Sequence, residues 1–204
     1  MIRIDRINKI EFDKKGINVY SYKEDKYVNR KCFTRKEAMI KYIEELPKDH
    51  TYKIVLECST CGDQRFSAFG ANVEAFGKED YIEFHYQLSK GFNVNDNLEN
   101  ISIKSNWSKK MKYVNSIKGI DFDYAIINNK PYKKELIHQW YHLLWIKYLD
   151  QHPELVDYLK LFDDYNDVFK GKSVSCQADS IRKYIQDGRK SLIDECEELL
   201  KELY

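Results

Sequence analysis

Hydrophobic positions along this chain change their period part-way through. In residues 1–33, Ile2, Ile4 and Ile7 are interleaved with charged residues, and INVYSY and KYVNR lie on either side of Lys-Glu-Asp. Short alternating runs rich in β-branched and aromatic residues predict a hairpin or meander. Thr34 followed by Glu37 has capping-box spacing and predicts a helix through Ala38, Met39, Tyr42, Ile43 and Leu46, stopped by Pro47. TYKIVLEC (51–58) reads as a buried strand, CSTCGDQ as a turn, and RFSAFGANVEAFG (65–77) as a shaped loop or short strand. Residues 91–130 read mainly as loops, with ISIKSNW and YAIIN as short strands or partial helices.

The later chain is helical in period. Pro131 is placed to open a long helix carrying Leu136, Ile137, Trp140, Leu143, Leu144 and Tyr148, apolar nearly all round, as a central core helix should be. Pro153 opens another through Leu155, Val156, Leu159 and Phe162. A polar, Asp-rich loop (162–175) follows, then a helix capped by Ser175 and closed by Gly188, then a last amphipathic helix from Leu192 to Leu203. Strands first and helices later predict an α+β fold, predominantly helical: N-terminal short strands, then a helical core.

Residues 81–92, YIEFHYQLSKGF, carry the densest chemistry. Asp80 and Glu83 have capping-box spacing, so a helix is predicted from this point. Tyr81, Phe84, His85 and Leu88 would form its apolar stripe. Glu83, Gln87 and Lys90 fall at i, i+4 and i+7 and would share a second face holding a carboxylate, an amide and an amine. On spacing alone, a solvated surface face is the commoner reading of this trio.

Composition narrows the function classes. The 204 residues are 33% charged and 43% hydrophobic, with net charge +1, so no global field holds long nucleic acid. The charge is uneven: residues 101–134 hold eight Lys against two Asp, whereas 150–204 hold thirteen acidic against eight basic residues. Sixteen tyrosines suit a core with polar edges and stacking surfaces for bases. No apolar run approaches the roughly 18 residues of a membrane span, and no signal-peptide h-region opens the chain. Five irregularly spaced cysteines argue against a secreted disulfide framework, so the cytoplasm is the expected compartment. Cys58 and Cys61 form a CxxC whose only candidate partners for zinc are His138 and His142, which can equally flank Trp140 in the core. Cys176 would be a nucleophile only if its thiol were activated, and Asp163, Asp164 and Asp167 do not follow an EF-hand pattern. No Walker loop, GxGxxG or GxSxG occurs.

Three collinear blocks carry a resemblance: FSAFG (66–70), IEFHYQLSKGF (82–92) and FDDYNDVFKGKSVSCQADS (162–180), the last preceded by QWYHLLWIKYLDQHPEL (139–155). Together they resemble the NADAR domains, in the branch associated with DarT-type toxins, over roughly residues 54–195. The resemblance implies a NADAR-like catalytic domain over 54–204, with 1–53 as a β/helix extension packed on it. It implies an N-glycosidase that removes ADP-ribose from guanine in DNA and serves as antitoxin to a DarT-like ADP-ribosyltransferase. Carried over by position, Glu83 and Lys90 are the catalytic pair. Ser67, Phe69, Gln87, Asp167, Ser175 and Gln177 would bind substrate, an ADP-ribosylated guanine in single-stranded DNA or a nucleotide. No metal or cofactor is called for, and no membrane. The chain departs from the branch where Tyr165-Asn166-Asp167 replaces Phe-Thr-Asp, where Ser175 replaces Asn, where Gly171 stands near an absent Pro, and at Val73-Glu74-Ala75. Alternatives are an N-glycosidase on a free nucleotide or riboflavin-pathway metabolite, a non-catalytic ADP-ribose-binding module, and a zinc-stapled interaction protein.

Overall fold

The structure, a computed structural model, describes residues 8–13, 16–23, 26–33, 52–60, 62–92, 106–117, 119–167 and 176–204. The expected helix after Thr34, the ISIKS run, Cys61 and Ser175 lie outside the described residues.

The alternating N-terminal runs form β1 (Asn8–Asp13), β2 (Gly16–Lys23) and β3 (Lys26–Phe33), and TYKIVLEC forms β4 (Tyr52–Glu57). β1 to β3 make the predicted antiparallel meander. β4 joins it parallel to β1, and β10 (Asp164–Asn166) joins parallel to β4, so the sheet order is β10-β4-β1-β2-β3. The Asp-rich segment predicted as loop therefore contributes a short edge strand, which fixes the position of Asp167 just beyond it. The reason is buried Tyr165, whose hydroxyl donates to the Leu159 carbonyl at 2.9 Å.

β5 (Asn72–Ala75) and β6 (Lys78–Tyr81) form a hairpin whose turn, Phe76-Gly77, has positive φ at both residues. Phe at such a position is unusual; here its ring stacks on Trp140 at 5.8 Å. α1 (Ile82–Leu88) follows directly. The third sheet, β7-β8-β9, comprises Lys90–Gly91, Tyr124–Ile127 and Lys130–Lys133. Between β7 and β8 runs α2 (Trp107–Ser116), capped by Asn106, whose side chain accepts from Lys109 N.

The core helix is α3 (Ile137–Gln151), buried on nearly every side by Ile137, Trp140, Tyr141, Leu144, Trp145, Tyr148 and Leu149. It starts later than Pro131 predicts. Pro131 lies in β9, turned out of β8 by the Asn128-Asn129 pair, both at positive φ as a tight hairpin turn requires. α4 (Pro153–Leu159) starts at its proline as expected. α5 (Gln177–Arg182) runs into one π turn (Lys183–Asp187) that ends at Gly188 (φ 93°). The last amphipathic stretch is two pieces, α6 (Arg189–Asp194) and α7 (Glu197–Leu203).

Buried polar groups staple these C-terminal helices to α3. Gln139 Oε1 accepts from Leu199 N at 2.9 Å, and His142 Nδ1 pairs with Ser180 Oγ at 2.9 Å. The fold is α+β with helices dominant, as the periodicity predicts. Among the described residues no helix is long and apolar enough to cross a membrane.

Candidate active site

The Ser67 turn is what positions α1. Ser67 is buried, its carbonyl accepts from Gly70 N and Ala71 N at 2.8 Å each, and its hydroxyl accepts from Phe69 N at 3.3 Å. The carbonyls of Ala71 and Ala68 then accept the N–H groups of Ile82 (3.0 Å) and Glu83 (2.9 Å). A helix start leaves its first amide groups unpartnered, and here a neighbouring turn satisfies two of them. This corrects the capping-box expectation. Asp80 belongs to β6, and Tyr81 occupies the cap position without a side-chain cap bond. Asp80 instead accepts from Tyr81 N and forms a buried ion pair with Lys110 of α2.

α1 ends two residues sooner than a shared Glu83–Gln87–Lys90 helix face needs. Ser89 closes it, its hydroxyl donating to the His85 carbonyl at 2.8 Å, and Lys90 enters β7 opposite Ala125. Gly91 has to be small there, because a Cβ would stand 2.3 Å from the Tyr124 ring. Phe84 and His85 are buried as predicted, whereas Tyr81 and Leu88 are only partly covered. His85 Nε2 donates to the Val73 carbonyl at 3.0 Å, and burial lowers the ring's pKa, so His85 is a neutral structural residue.

Glu83, Gln87, Ser67, Phe69, Asp167 and Gln177 converge on one cavity of about 310 Å³. Of the eight residues expected there, these six are in its walls and Lys90 is not, while Ser175 lies outside the described residues. Lys90 is close by, with Nζ 4.8 Å from the centroid of the lining Tyr86 ring and 5.7 Å from that of Phe122. Ser59, Thr60, Ala68, Tyr86 and Tyr141 complete the lining. Of these, Tyr86 could have been found from its i+3 spacing to Glu83. Tyr141 arrives from a distant helix, which no local pattern announces.

Gln87 Nε2 donates to Glu83 Oε1 at 2.7 Å. Burial pushes the Glu83 carboxyl above the usual carboxylate range; the Gln87 bond and the Lys90 charge oppose that rise, and Asp167 adds to it. Burial pushes the Lys90 amine down, against the pull of Glu83. The two groups thus sense one another and are both displaced toward neutrality. Gln177 is a fixed wall: its Nε2 donates to the Cys58 carbonyl at 2.8 Å and its Oε1 accepts from the Tyr141 hydroxyl at 3.2 Å.

Residues from each of the three blocks line this cavity, and a family model described as DarT1-associated NADAR antitoxin matches residues 24–202. The chain belongs to this family. The match to the NADAR antitoxins runs from β3 through β4 and on into α7, so it reaches further toward the N-terminus than the residues that first carried the likeness. No curated protein matches the sequence.

In this NADAR chain neither Cys58 nor Cys176 is poised for chemistry. Cys58 is fully buried and its thiol pushed well up by burial, and burial likewise raises Cys176, which donates to Asp167 Oδ2 at 3.7 Å. Among the described residues no three His, Cys, Asp or Glu side chains are grouped as a metal site. A larger cavity of about 540 Å³ between the β5–β6 turn, α3 and the C-terminal helices is lined mainly by apolar residues. Its charged residues are Asp150 and Arg189, paired with each other at 2.7 Å, and Lys147, paired with Glu74 at 2.9 Å, so it offers no acid–base pair.

Proposed function

We propose that this chain is an ADP-ribosylglycohydrolase that removes ADP-ribose from guanine in DNA, and so reverses the product of a DarT-like ADP-ribosyltransferase. The observation that carries the reading is a carboxyl displaced upward in the wall of a cavity, with an amine displaced downward beside the ring of Tyr86, another of its lining residues. Two titratable groups pushed apart from their ordinary values are what acid and nucleophile roles need near neutral pH.

Cleaving the bond between C1″ of the ribose and the guanine amine needs a proton on the departing nitrogen and a partner for the electron-poor carbon. Glu83, protonated in part, delivers the proton. Ring opening breaks C1″–O4″, passes the guanine N–H proton to O4″ and leaves C1″ joined to guanine as an imine; Lys90, neutral in part, extends past Tyr86 and adds to that C1″ to give an aminal. The C1″–N(guanine) bond breaks, guanine leaves with the proton from Glu83, and a lysine imine remains. Water adds to that imine, Glu83 recovers its proton, and free ADP-ribose and the Lys90 amine are regenerated. Asp167 faces the same cavity and favours the protonated form of Glu83. Ser67, Phe69, Gln87 and Gln177 supply the walls that orient the sugar and base.

Mass spectrometry of a guanine-ADP-ribosylated single-stranded oligonucleotide tests the reading. Loss of the ADP-ribose mass with the wild-type protein, but not with Lys90→Ala, is the expected result; an oligonucleotide unchanged by wild type overturns it. A second reading, an N-glycosidase on a free nucleotide-like metabolite, draws on the net charge of only +1, and the same assay with the free nucleotide decides between them.

A further inference from the structure

A second cavity, about 420 Å³, abuts the first. It is lined by Thr60, Gln64, Phe69, Gly70, Trp107 and Met111, and it shares Thr60 and Phe69 with the Glu83 cavity. Trp107 is 47% exposed, whereas Trp140 and Trp145 are 6% and 0% exposed. Its indole touches Phe84, Tyr81 and Phe69 at 4.9, 5.3 and 6.0 Å between centroids, with interplanar angles of 72°, 86° and 61°. None of these rings lies parallel to it. Among the described residues the indole is therefore clamped by aromatic neighbours while no ring occupies a stacking position on it. The clamp is anchored from below, because Lys110, on the next turn of α2, is buried against Asp80.

We propose that this second cavity is a nucleobase subsite, with Trp107 as the stacking platform, filled while the scissile sugar lies at Glu83. A rigid, half-open indole is the side chain that stacks a base at the least loss of rotamer freedom. Thr60 and Gln64 offer hydroxyl and amide groups to the base edge, and Met111 offers a soft apolar wall. Exposed Lys109 and Lys112 on the same helix give the accompanying phosphates a counter-charge. The base has two possible sources: the nucleotide next to the modified guanine in a strand, or the adenine of the ADP-ribose. The role during turnover rests on the glycohydrolase reading, but the stacking itself does not.

Trp107 fluorescence separates these possibilities. Titration with a short unmodified single-stranded DNA oligonucleotide, and separately with ADP-ribose, should quench emission from wild type and not from Trp107→Ala. In titration calorimetry with the same ligands, Trp107→Ala should bind about tenfold more weakly than wild type, and Trp107→Phe should restore much of the affinity, which a misfolded variant could not. Quenching by the oligonucleotide assigns the base to the strand, and quenching by ADP-ribose assigns it to the adenine. In turnover, Trp107→Ala should lower kcat/KM on the ADP-ribosylated oligonucleotide by a similar factor. A wild type that is quenched yet cleaves nothing leaves the subsite standing and removes the glycohydrolase. A wild type that cleaves, with neither ligand quenching it and Trp107→Ala as active as the parent, overturns the subsite.

Discussion

Gln87 and Glu83 are joined across one turn of α1 by a 2.7 Å hydrogen bond from the amide nitrogen to Oε1. The bond favours the charged carboxylate and so restrains the rise that burial imposes. Replacing Gln87 by Leu removes the restraint, and the pKa of Glu83 moves further up. The pH–rate profile should be bell-shaped, with an acid limb set by Glu83 above its ordinary 4.5 and an alkaline limb set by Lys90 below its ordinary 10.5. In Gln87→Leu the acid limb should move to higher pH while the alkaline limb stays in place. An acid limb that does not move would detach Glu83 from the rate.

The same burial makes Glu83 a burden on the fold. Its folded pKa lies above its unfolded value, so the stability it contributes is intact below about 4.5 and is lost as pH rises through the folded value. Glu83→Gln should therefore melt at a higher temperature than wild type at neutral pH, with the difference vanishing at acid pH, while turnover is lost. Melting curves at the two pH values check this, and a variant less stable at neutral pH contradicts it.

If Lys90 forms an imine, borohydride added during turnover should reduce it and leave a covalent ADP-ribose adduct on the intact protein. Lys90→Ala should give no adduct and lose about 10²–10⁴-fold in rate, with an unchanged circular dichroism spectrum. Lys90→Arg should also fail, because a guanidinium stays charged and cannot attack. An adduct that persists in Lys90→Ala would place the nucleophile elsewhere.

Much of this was legible in the chain, and the gaps have physical causes. Period-two alternation marks β1 to β3, and the all-round apolar pattern marks α3, which is buried on nearly every side. Glu83 and Gln87 meet as i, i+4 spacing says they must. Lys90 departs from the face because Ser89 ends the helix and β8 captures the backbone, a tertiary pairing that spacing cannot register. Asp80 and Glu83 read as a capping box, but the carbonyls of Ala68 and Ala71 already cap the helix and Asp80 is held by Lys110, thirty residues on in sequence. Pro131 fits a helix start and a strand edge equally well by its fixed φ, and the Asn128-Asn129 turn selects the strand.

The Asp80–Lys110 pair is buried at both ends, 6% and 7% exposed, with Lys110 Nζ also 5.1 Å from the centroid of the Phe84 ring. Lys110→Met strands a carboxylate at the start of α1 and should destabilise by about 3–5 kcal/mol. Adding Asp80→Asn should recover most of that, since the double variant leaves no buried charge. Chemical denaturation of the two single variants and the double variant measures the coupling. Additive losses would mean that the pair contributes nothing as a pair.

Gly70 tests whether the Ser67 turn, rather than any side chain of α1, places the acid. A Cβ at Gly70 would sit 1.9 Å from the Gln64 carbonyl oxygen, a backbone atom that cannot swing aside. Gly70→Ala must therefore push the turn away from the Gln64–Phe66 segment, and the Ala68 and Ala71 carbonyls that receive Glu83 N and Ile82 N move with it. The overpacking should destabilise by about 1–3 kcal/mol. The loss of kcat should exceed what that destabilisation explains at a temperature where the variant remains folded, because the acid is displaced relative to Asp167 and Gln177. A Gly70→Ala protein that is less stable but fully active when folded would show that Glu83 is held by α1 alone.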